Sequence, residues 1–271
     1  MAPQQGAGAG ELEAAQVRSM FDGIAWVYDA LNSAMTAGLH HRWRTRAVDL
    51  AHVGPGSRVL DVASGTGDLA LELARRVAPG GEVVGSDFSE GMLARARIKA
   101  AKVSRQVGPA GAELRFEWGD ALKLPYADDS FDAATVGFGA RNFSDLGRGL
   151  GEMARVVRPG GRVIVLEFTT PKRLPLSLFY RVWFDRVVPL LGLLVGGAEG
   201  ALARLRPSRA SAREVGLADA YNYLPNSVKR WPGPEQLAVE MRQAGIVQVG
   251  CLLTAGGIVA IHTGIVPPNG A

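Results

Sequence analysis

From Arg58 onward, short apolar runs alternate with stretches whose apolar residues recur at helical spacing. The short runs predict buried strands, and the longer periodic stretches between them predict helices. The predicted strands are residues 58–63, 82–86, 114–118, 131–138 and 162–168, and the predicted helices lie near 68–78, from Ser89 onward and near 145–157. This alternation is typical of a parallel sheet with helices on both of its faces.

The end of the chain follows a different pattern. Pro234 is expected to open a helix that runs through Ala244 and ends at Gly245. Two apolar runs, 246–254 and 258–266, are joined by a short stretch containing two glycines and therefore predict an antiparallel hairpin. Together the patterns predict an α/β protein with a doubly wound, mostly parallel seven-stranded sheet that ends in an antiparallel hairpin.

The remaining segments are predicted to flank or cover this sheet within one domain, residues 16–266. Residues 16–50 group aromatic and charged side chains at helical spacing and predict an N-terminal helical cap. Asp22, Tyr28, Asp29 and Asn32 are its polar candidates for covering a site. The other predicted segments are flexible tails at 1–15 and 267–271, an amphipathic lid helix at 174–195 and a Gly/Arg-rich insertion at 196–216.

Composition narrows the class further. The 271 residues are 47% hydrophobic and 21% charged, with a net charge of +4, as in ordinary globular proteins. The single cysteine, Cys251, excludes an internal disulfide and a cysteine-rich metal site. His40 and His41 are adjacent, so one helix would hardly direct both at one metal ion, and no metal is predicted. The chain has no signal-peptide pattern and no long apolar run, so a cytoplasmic location is expected.

The most informative stretch is Asp61-Val62-Ala63-Ser64-Gly65-Thr66-Gly67-Asp68, between the first predicted strand and its helix. A strand, a glycine-rich turn and a helix N-terminus let backbone N–H groups approach a ligand closely. Gly65 and Gly67 have no Cβ, so a nucleotide-like ligand can lie against the main chain there. Asp61, at the carboxyl end of the strand, adds a fixed acceptor for a positively charged ligand group.

Several interpretations of this loop compete. Two glycines near a strand end can simply form a tight turn, and residues 65–70 also satisfy the dinucleotide-binding pattern G-x-G-x-x-A. Asp87 follows the next strand, where an acid can bind two ribose hydroxyls, but both a dinucleotide and an adenosyl ligand require such an acid. Asp61 decides between them, because a carboxylate repels a pyrophosphate and attracts a cationic sulfonium with an amino-acid tail. S-adenosylmethionine is therefore the predicted ligand.

Site residues and fold class agree with that ligand. Asp61, Asp87, Asp120 and Gly137 all fall at carboxyl ends of predicted strands, where ligands of such sheets bind. The terminal hairpin is not expected of the two-halved dinucleotide fold. The fold class predicted is thus the Rossmann-like class I S-adenosylmethionine-dependent methyltransferase fold.

A set of longer motifs makes the relationship more specific. They are Phe21 to Ala25 with Tyr28-Asp29, Gly38 to Arg44, the loop 61–68, Phe138-Gly139-Ala140-Arg141-Asn142, Arg158 to Gly161, Tyr221 to Ser227, and Thr254 to His262. In order and spacing they resemble the menaquinone/ubiquinone biosynthesis C-methyltransferase family over roughly 20–195 and 219–265. The sequence departs from the family pattern at Ser64, where a glycine is usual, at Gly137, where a serine is frequent, and at the insertion 196–216.

The resemblance implies methyl transfer from S-adenosylmethionine to a ring carbon of a prenylated naphthoquinol or benzoquinol, with a lean toward the menaquinone branch. It implies that Arg141 supplies positive charge near a developing phenolate and that Asn142 orients a hydroxyl or a water. Without the resemblance, the same two residues are best interpreted as a capped turn entering a helix. For the cofactor, Asp61, Gly65 and Gly67 form the loop, Thr66 contacts the methionine tail, Asp87 the ribose, Asp120 and Ala121 the adenine edge, and Gly137 contributes its backbone.

Rival functions are a benzoquinol C-methyltransferase, another small-molecule methyltransferase on the same cofactor half, and a non-catalytic nucleotide-binding or membrane-scaffold protein. Nucleic-acid binding is not expected, because no basic stripe is interleaved with aromatic residues outside the insertion. The partners predicted are a prenylated quinol and transient contact with a membrane surface, from a peripheral position at its inner face; a homodimer stays open.

Overall fold

The computed structural model describes residues 14–26, 28–108, 111–171, 174, 177–178, 227–228 and 230–268. Most of the predicted lid helix at 174–195, the whole insertion at 196–216 and the motif at 221–226 lie outside the described residues.

Seven strands of the described chain form one sheet in the order β3-β2-β1-β4-β5-β7-β6. The strands are β1 (Arg58–Val62), β2 (Glu82–Asp87), β3 (Glu113–Trp118), β4 (Phe131–Gly137), β5 (Val157–Phe168), β6 (Val247–Thr254) and β7 (Val259–Ile265). The first five strands pair in parallel, whereas β7 runs antiparallel to both β5 and β6. The predicted mostly parallel sheet with a terminal antiparallel hairpin is confirmed.

Seven α-helices of the described chain flank this sheet. They are α1 (Ala14–Ile24), α2 (Tyr28–Thr36), α3 (Leu39–Ala51), α4 (Asp68–Val77), α5 (Glu90–Val107), α6 (Leu146–Val156) and α7 (Pro234–Gln243). The predicted cap is thus helical and consists of α1, α2 and α3. In addition, short 3-10 helices cover Ala140–Asn142 and Ala255–Gly257. The hydroxyl of Ser89 caps α5 by accepting from the Met92 N–H, as the sequence predicts.

Apolar residues fill both faces of the sheet because successive side chains in a strand point to opposite sides. Val59 joins the core under α3, α4 and α5, and its neighbour Leu60 joins the core under α6 and α7. Both side chains are fully buried. Each such aliphatic side chain contributes roughly 1.5–3 kcal/mol through removal from water. The sheet is therefore rigid where its strands end and the polar residues of the site begin.

The observed boundaries differ from the predicted ones by a few residues. The helix predicted from Ser89 onward is α5, which continues to Val107 before Gly108 turns the chain. Strand β5 begins at Val157, which pairs with Phe131 of β4. A register shift then leaves 158–161 without β4 partners before Arg162 pairs with Ala133, and Gly160 in this segment has a φ of 81°. No helix among the described residues has the length and apolar character needed to cross a membrane.

Candidate active site at the carboxyl ends of the strands

A cavity opens at the carboxyl ends of β1, β2 and β4. Most of the predicted site residues line it: Asp61, Gly65, Thr66, Asp87, Asp120, Ala121, Gly137 and Asn142. Two predicted site residues, Gly67 and Arg141, are not among the described residues of the lining. The cap contributes Phe21, Tyr28 and Arg44, so the cavity lies between the sheet and the cap.

Gly65 and Gly67 must be glycine for different structural reasons. Both have positive φ, 56° for Gly65 and 84° for Gly67, a region that favours glycine. A Cβ at Gly65 would meet no atom within 4 Å, so that face of the loop is open to a ligand. A Cβ at Gly67 would lie 2.6 Å from Cζ of Phe116. Gly67 is therefore required by packing of the β3 aromatic ring, and Gly65 is the glycine that lets a ligand approach the backbone.

Asp61 is the most electrostatically unusual residue of the cavity. Its side chain is buried, and burial raises the pKa of its carboxyl group to about 7, although a hydrogen bond from Thr135 opposes the shift. Oδ1 accepts this bond at 2.8 Å, whereas Oδ2 has no hydrogen-bond partner within the part of the chain that the structure describes. A buried acceptor without a partner costs free energy unless a ligand supplies a donor. Asp61 thus fits a cationic ligand group, as the sequence predicts.

Asp87 organises the loop at the end of β2. Its Oδ2 accepts from the Gly65 N–H at 2.8 Å, and its Oδ1 accepts from the Ser89 N–H at 2.9 Å. Burial raises the pKa of its carboxyl group to about 6 against these backbone hydrogen bonds. Each carboxylate oxygen has a second lone pair, so Asp87 can hold the loop and still accept from ligand hydroxyls.

The remaining cofactor candidates lie beyond β3 and β4. Asp120 is exposed, and its Oδ1 accepts from the Leu122 N–H at 2.9 Å, which shapes the turn beside Ala121. A Cβ at Gly137 would lie 3.0 Å from Cδ2 of Leu69. The tight packing leaves little room for the serine that the family pattern often has there, so Gly137 can contribute only its backbone.

A polar network that the sequence did not predict joins the cap to the cofactor loop. The Lys99 ammonium lies 2.6 Å from carboxylate oxygens of both Asp29 and Asp68, and 3.0 Å from the Thr66 hydroxyl. That hydroxyl in turn donates to Asp29 at 2.6 Å. Thr66 is therefore held by the cap and by α5 at the position where it faces the cavity. Its partners are distant in sequence, so no local pattern signals the network.

A second contact fixes α1 to the N-terminus of α5. Oδ1 of Asp22 accepts from the Ser89 hydroxyl at 2.5 Å and from the Gly91 N–H at 2.9 Å. This places a carboxylate at the N-terminus of α5, where the helix dipole favours negative charge. The predicted polar candidates Asp22 and Asp29 thus attach the cap rather than line the cavity, whereas Tyr28 lines it.

Arg44 is the cationic residue of the cavity wall that sequence reasoning missed. It pairs with Asp68 at 3.2 Å, contacts the His40 imidazole, and lies over the Phe138 ring. Burial, followed by the nearby Arg44 charge, lowers the pKa of His40 to about 4, so its ring is neutral. Although burial opposes it, Arg44 and Lys99 lower the pKa of Asp68. The spacing of His40 and Arg44, one helical turn, was the available signal.

Arg141 and Asn142 belong to the 3-10 helix that follows β4. Asn142 lines the cavity, and its backbone N–H donates to the Gly139 carbonyl at 3.0 Å. Arg141 points instead to Glu167, with which it forms a buried ion pair. The predicted electrostatic role of Arg141 stays a prediction, and the observed contact identifies Glu167 as a partner that the sequence did not reveal.

The fold and the cavity together define a Rossmann-like class I S-adenosylmethionine-dependent methyltransferase. The open face of Gly65 accommodates close backbone approach, and the unpartnered oxygen of Asp61 suits the cationic amino group of the methionine tail. The predicted class and methyl donor are confirmed.

Comparison with known proteins specifies the family. The profile of the ubiE/COQ5 methyltransferase family matches residues 9–208 and 212–266, so the chain belongs to this family. A demethylmenaquinone methyltransferase of Thermus thermophilus is 47% identical over 245 residues, covering 90% of this chain and 99% of the relative. A ubiquinone/menaquinone biosynthesis C-methyltransferase UbiE of Geobacter sulfurreducens is 39% identical, covering 92% of this chain and 88% of the relative.

Solved structures support the fold at much lower identity. A SAM-dependent methyltransferase from Aquifex aeolicus superposes with a TM-score of 0.57 at 15% identity, covering 94% of this chain and all of the other. The [4+2]-cyclase SpnF superposes with a TM-score of 0.59 at 20% identity, covering 94% of this chain and 96% of the other. Since a cyclase shares the fold, these similarities establish architecture and leave the chemistry to the site.

Proposed function

We propose that the protein transfers a methyl group from S-adenosylmethionine to a ring carbon of a prenylated naphthoquinol, converting demethylmenaquinol to menaquinol. The observation that carries the proposal is the cavity between cap and sheet, with Asp61 and Gly65 suited to the methyl donor and Asn142 in its wall. The names of the relatives from Thermus thermophilus and Geobacter sulfurreducens support this substrate class.

The roles of the cofactor-binding residues follow from their positions. Asp61 pairs with the amino group of the methionine tail, and Thr66 contacts the same tail from the loop. Asp87 accepts from the ribose hydroxyls while it holds the Gly65 N–H. Asp120 and Ala121 lie at the adenine edge, and Gly137 offers backbone atoms. Gly67 contributes indirectly, because its contact with Phe116 fixes the loop.

Catalysis depends mainly on alignment. S-adenosylmethionine supplies an electrophilic methyl group, so the protein chiefly has to hold an electron-rich ring carbon in line with it. Asn142 orients a ring hydroxyl or a water beside the cavity wall. Arg44 lines the cavity on the cap side, where its charge is paired with Asp68. The cap residues Phe21 and Tyr28 exclude water from the reacting ring.

The proposal is tested by methyl transfer from labelled S-adenosylmethionine to a short-chain reduced demethylmenaquinone and to the benzoquinol analogue. We expect turnover on the naphthoquinol, lost by at least tenfold in Asn142→Ala with unchanged binding of S-adenosylhomocysteine. Thr45→Ala, at an exposed position of α3, is the control and should retain activity. Turnover on the benzoquinol alone would reassign the substrate, and binding without turnover on either quinol would refute the quinol proposal.

We further propose that the protein works on the cytoplasmic side of the membrane and contacts its surface transiently, because a prenylated quinol partitions into lipid. The helical spacing of aromatic and apolar residues in the sequence 176–191 supports this contact, and Leu174 and Leu178 are exposed. Co-sedimentation with anionic vesicles tests it; recovery only in the supernatant contradicts it.

A homodimer is the other proposed association. The edge strand β6 supports it, because Leu252 and Leu253 are exposed on a strand that pairs only with β7 among the described strands. Sedimentation equilibrium measures the molecular mass directly, and a monomer at all concentrations refutes the dimer.

A further inference from the structure

Arg141 and Glu167 form the most deeply buried ion pair among the described residues. Only 3% of the Arg141 side chain and 1% of the Glu167 side chain is exposed. Glu167 is the second-to-last residue of β5, and Arg141 lies in the 3-10 helix that follows the adjacent strand β4. The Glu167 carboxylate also accepts from the backbone N–H groups of Arg141 at 3.4 Å and Phe168 at 2.9 Å. One carboxylate thus holds both the side chain and the backbone of Arg141.

The Arg141–Glu167 pair also contacts Ser227, in a third part of the chain. Nε of Arg141 donates to the Ser227 hydroxyl at 3.2 Å, and the guanidinium lies 5.6 Å from the centre of the Phe168 ring. Ser227 is buried, with 3% exposure, and so is its neighbour Val228. The pair is therefore linked to the segment that contains Ser227.

The guanidinium of Arg141 is paired with Glu167, which balances its charge, and is not directed at a reacting ring. Burial raises the pKa of Glu167 and so disfavours its ionised form, whereas the Arg141 charge favours that form. A buried charge that loses its partner is strongly destabilising, which ties each residue to the other. Asn142, the next residue, lines the cavity whereas Arg141 is not among its described lining residues.

We propose that Arg141 and Glu167 are a positioning pair: together they fix Asn142 in the cavity wall and hold the Ser227 segment through the Arg141–Ser227 hydrogen bond. Glu167 neutralises Arg141, and the pair acts on the substrate through Asn142. The expected changes in activity rest on the proposed function. The anchoring of the Ser227 segment can be measured without turnover.

The decisive variant is Glu167→Gln, which keeps the shape of the side chain and removes its charge. A positioning pair predicts at least a tenfold fall in kcat/KM for the quinol with a raised KM, while the Kd of S-adenosylhomocysteine stays within about twofold. The positioning pair also predicts a lower kcat, because Asn142 is no longer held in the cavity wall, whereas a catalytic role for the Arg141 cation predicts a kcat that is preserved or raised when the neutralising carboxylate is removed. Glu72→Gln, which removes the carboxylate of an exposed Glu72–Arg75 pair, is the matched control and should behave as wild type.

Amide hydrogen exchange tests the anchor independently of activity. We expect faster exchange in the peptide 227–231 in Glu167→Gln and in Ser227→Ala, with unchanged exchange in β1 as a check of folding. Arg141→Ala and Glu167→Ala should each lose as much activity as the double variant, because either single substitution already breaks the ion pair. Wild-type kinetics and exchange in Glu167→Gln would overturn the positioning pair. Absence of quinol turnover in the wild type would refute the proposed function, and exchange would still decide the anchor.

Discussion

At the scale of single residues, the buried carboxyl group of Asp61 suits a ligand but lowers the stability of the ligand-free protein. Its pKa is about 7 in the folded protein because the charged carboxylate is buried. Below pH about 4 the group is protonated in folded and unfolded chains alike, so it has no effect. As pH rises toward 7 the unfolded chain ionises first, and the folded state becomes less stable by roughly 4 kcal/mol. Removing the charge should therefore stabilise the ligand-free protein.

We expect Asp61→Asn to raise the free energy of unfolding at pH 8 by about 1–3 kcal/mol and to weaken S-adenosylhomocysteine binding at least tenfold. Wild-type affinity should fall as pH drops through 7, because protonated Asp61 no longer attracts the amino group, whereas the affinity of the variant should stay flat. Urea denaturation and titration calorimetry measure the two effects. A destabilised variant, or an equal pH dependence in both proteins, would contradict this account.

The two loop glycines provide a matched pair of substitutions. Gly67→Ala places a methyl group 2.6 Å from the Phe116 ring at a positive φ, so we expect a loss of about 2–4 kcal/mol in unfolding free energy. Gly65→Ala meets no neighbouring atom and should cost only about 1 kcal/mol, but its methyl group occupies the open face and should weaken S-adenosylhomocysteine binding. Thermal unfolding and ligand binding separate the effects; the reverse ranking would refute the assignment.

At the scale of elements, Lys99 connects α5 with the cap and the cofactor loop. Replacing it by methionine leaves Asp29 and Asp68 close together without the cation between them. We expect Lys99→Met to weaken S-adenosylhomocysteine binding by about fivefold to tenfold, since Thr66 loses its support and the carboxylates repel each other. Lys102→Met, on the same helix at an exposed position, is the control.

Calorimetric titration of both variants at low and high salt measures the effect. The Lys99 network is partly exposed, so part of the loss should depend on ionic strength. Equal affinities for Lys99→Met and Lys102→Met would show that the network does not support the cofactor loop.

The elements themselves were largely predictable, and the contacts between them were not. Buried parallel strands have a strong local signal, so β1 and β2 were located within a residue and Asp61 and Asp87 were assigned to their carboxyl ends. Glu167 pairs with a residue 26 positions away, and Lys99 with one 31 positions away. Only the sheet order and the docking of the cap bring these charges together, and neither leaves a local pattern.

At the scale of the whole molecule, a buried histidine and two buried aspartates have opposite effects on how the free energy of unfolding depends on pH. The lowered pKa of His40, about 4, favours its neutral form, so stability is lost as pH falls from 6.5 toward 4. The raised pKa values of Asp61 and Asp87 act in the opposite sense, because stability is lost as pH rises from about 4 toward 7. These contributions partly cancel in the ligand-free protein.

We therefore expect the unfolding free energy of the wild type to fall as pH rises from about 5 to about 6.5, less steeply than the two aspartates alone would cause, because His40 opposes them. His40→Gln removes one of the opposing contributions, so its stability should decline more steeply as pH rises across this interval. Urea denaturation at several pH values measures both curves. Parallel curves would show that His40 does not titrate differently in the folded and unfolded states.

The place of β7 in the sheet has a consequence for synthesis on the ribosome. β7 is the last strand of the described chain, yet it lies between β5 and β6 and pairs with both. Until Val259–Ile265 has left the exit tunnel, the outer edge of β5 has no neighbour and β6 has no place in the sheet. The nascent protein thus carries an open edge until β7 has been made, and premature termination before residue 259 yields a chain suited to pair with other unfinished chains.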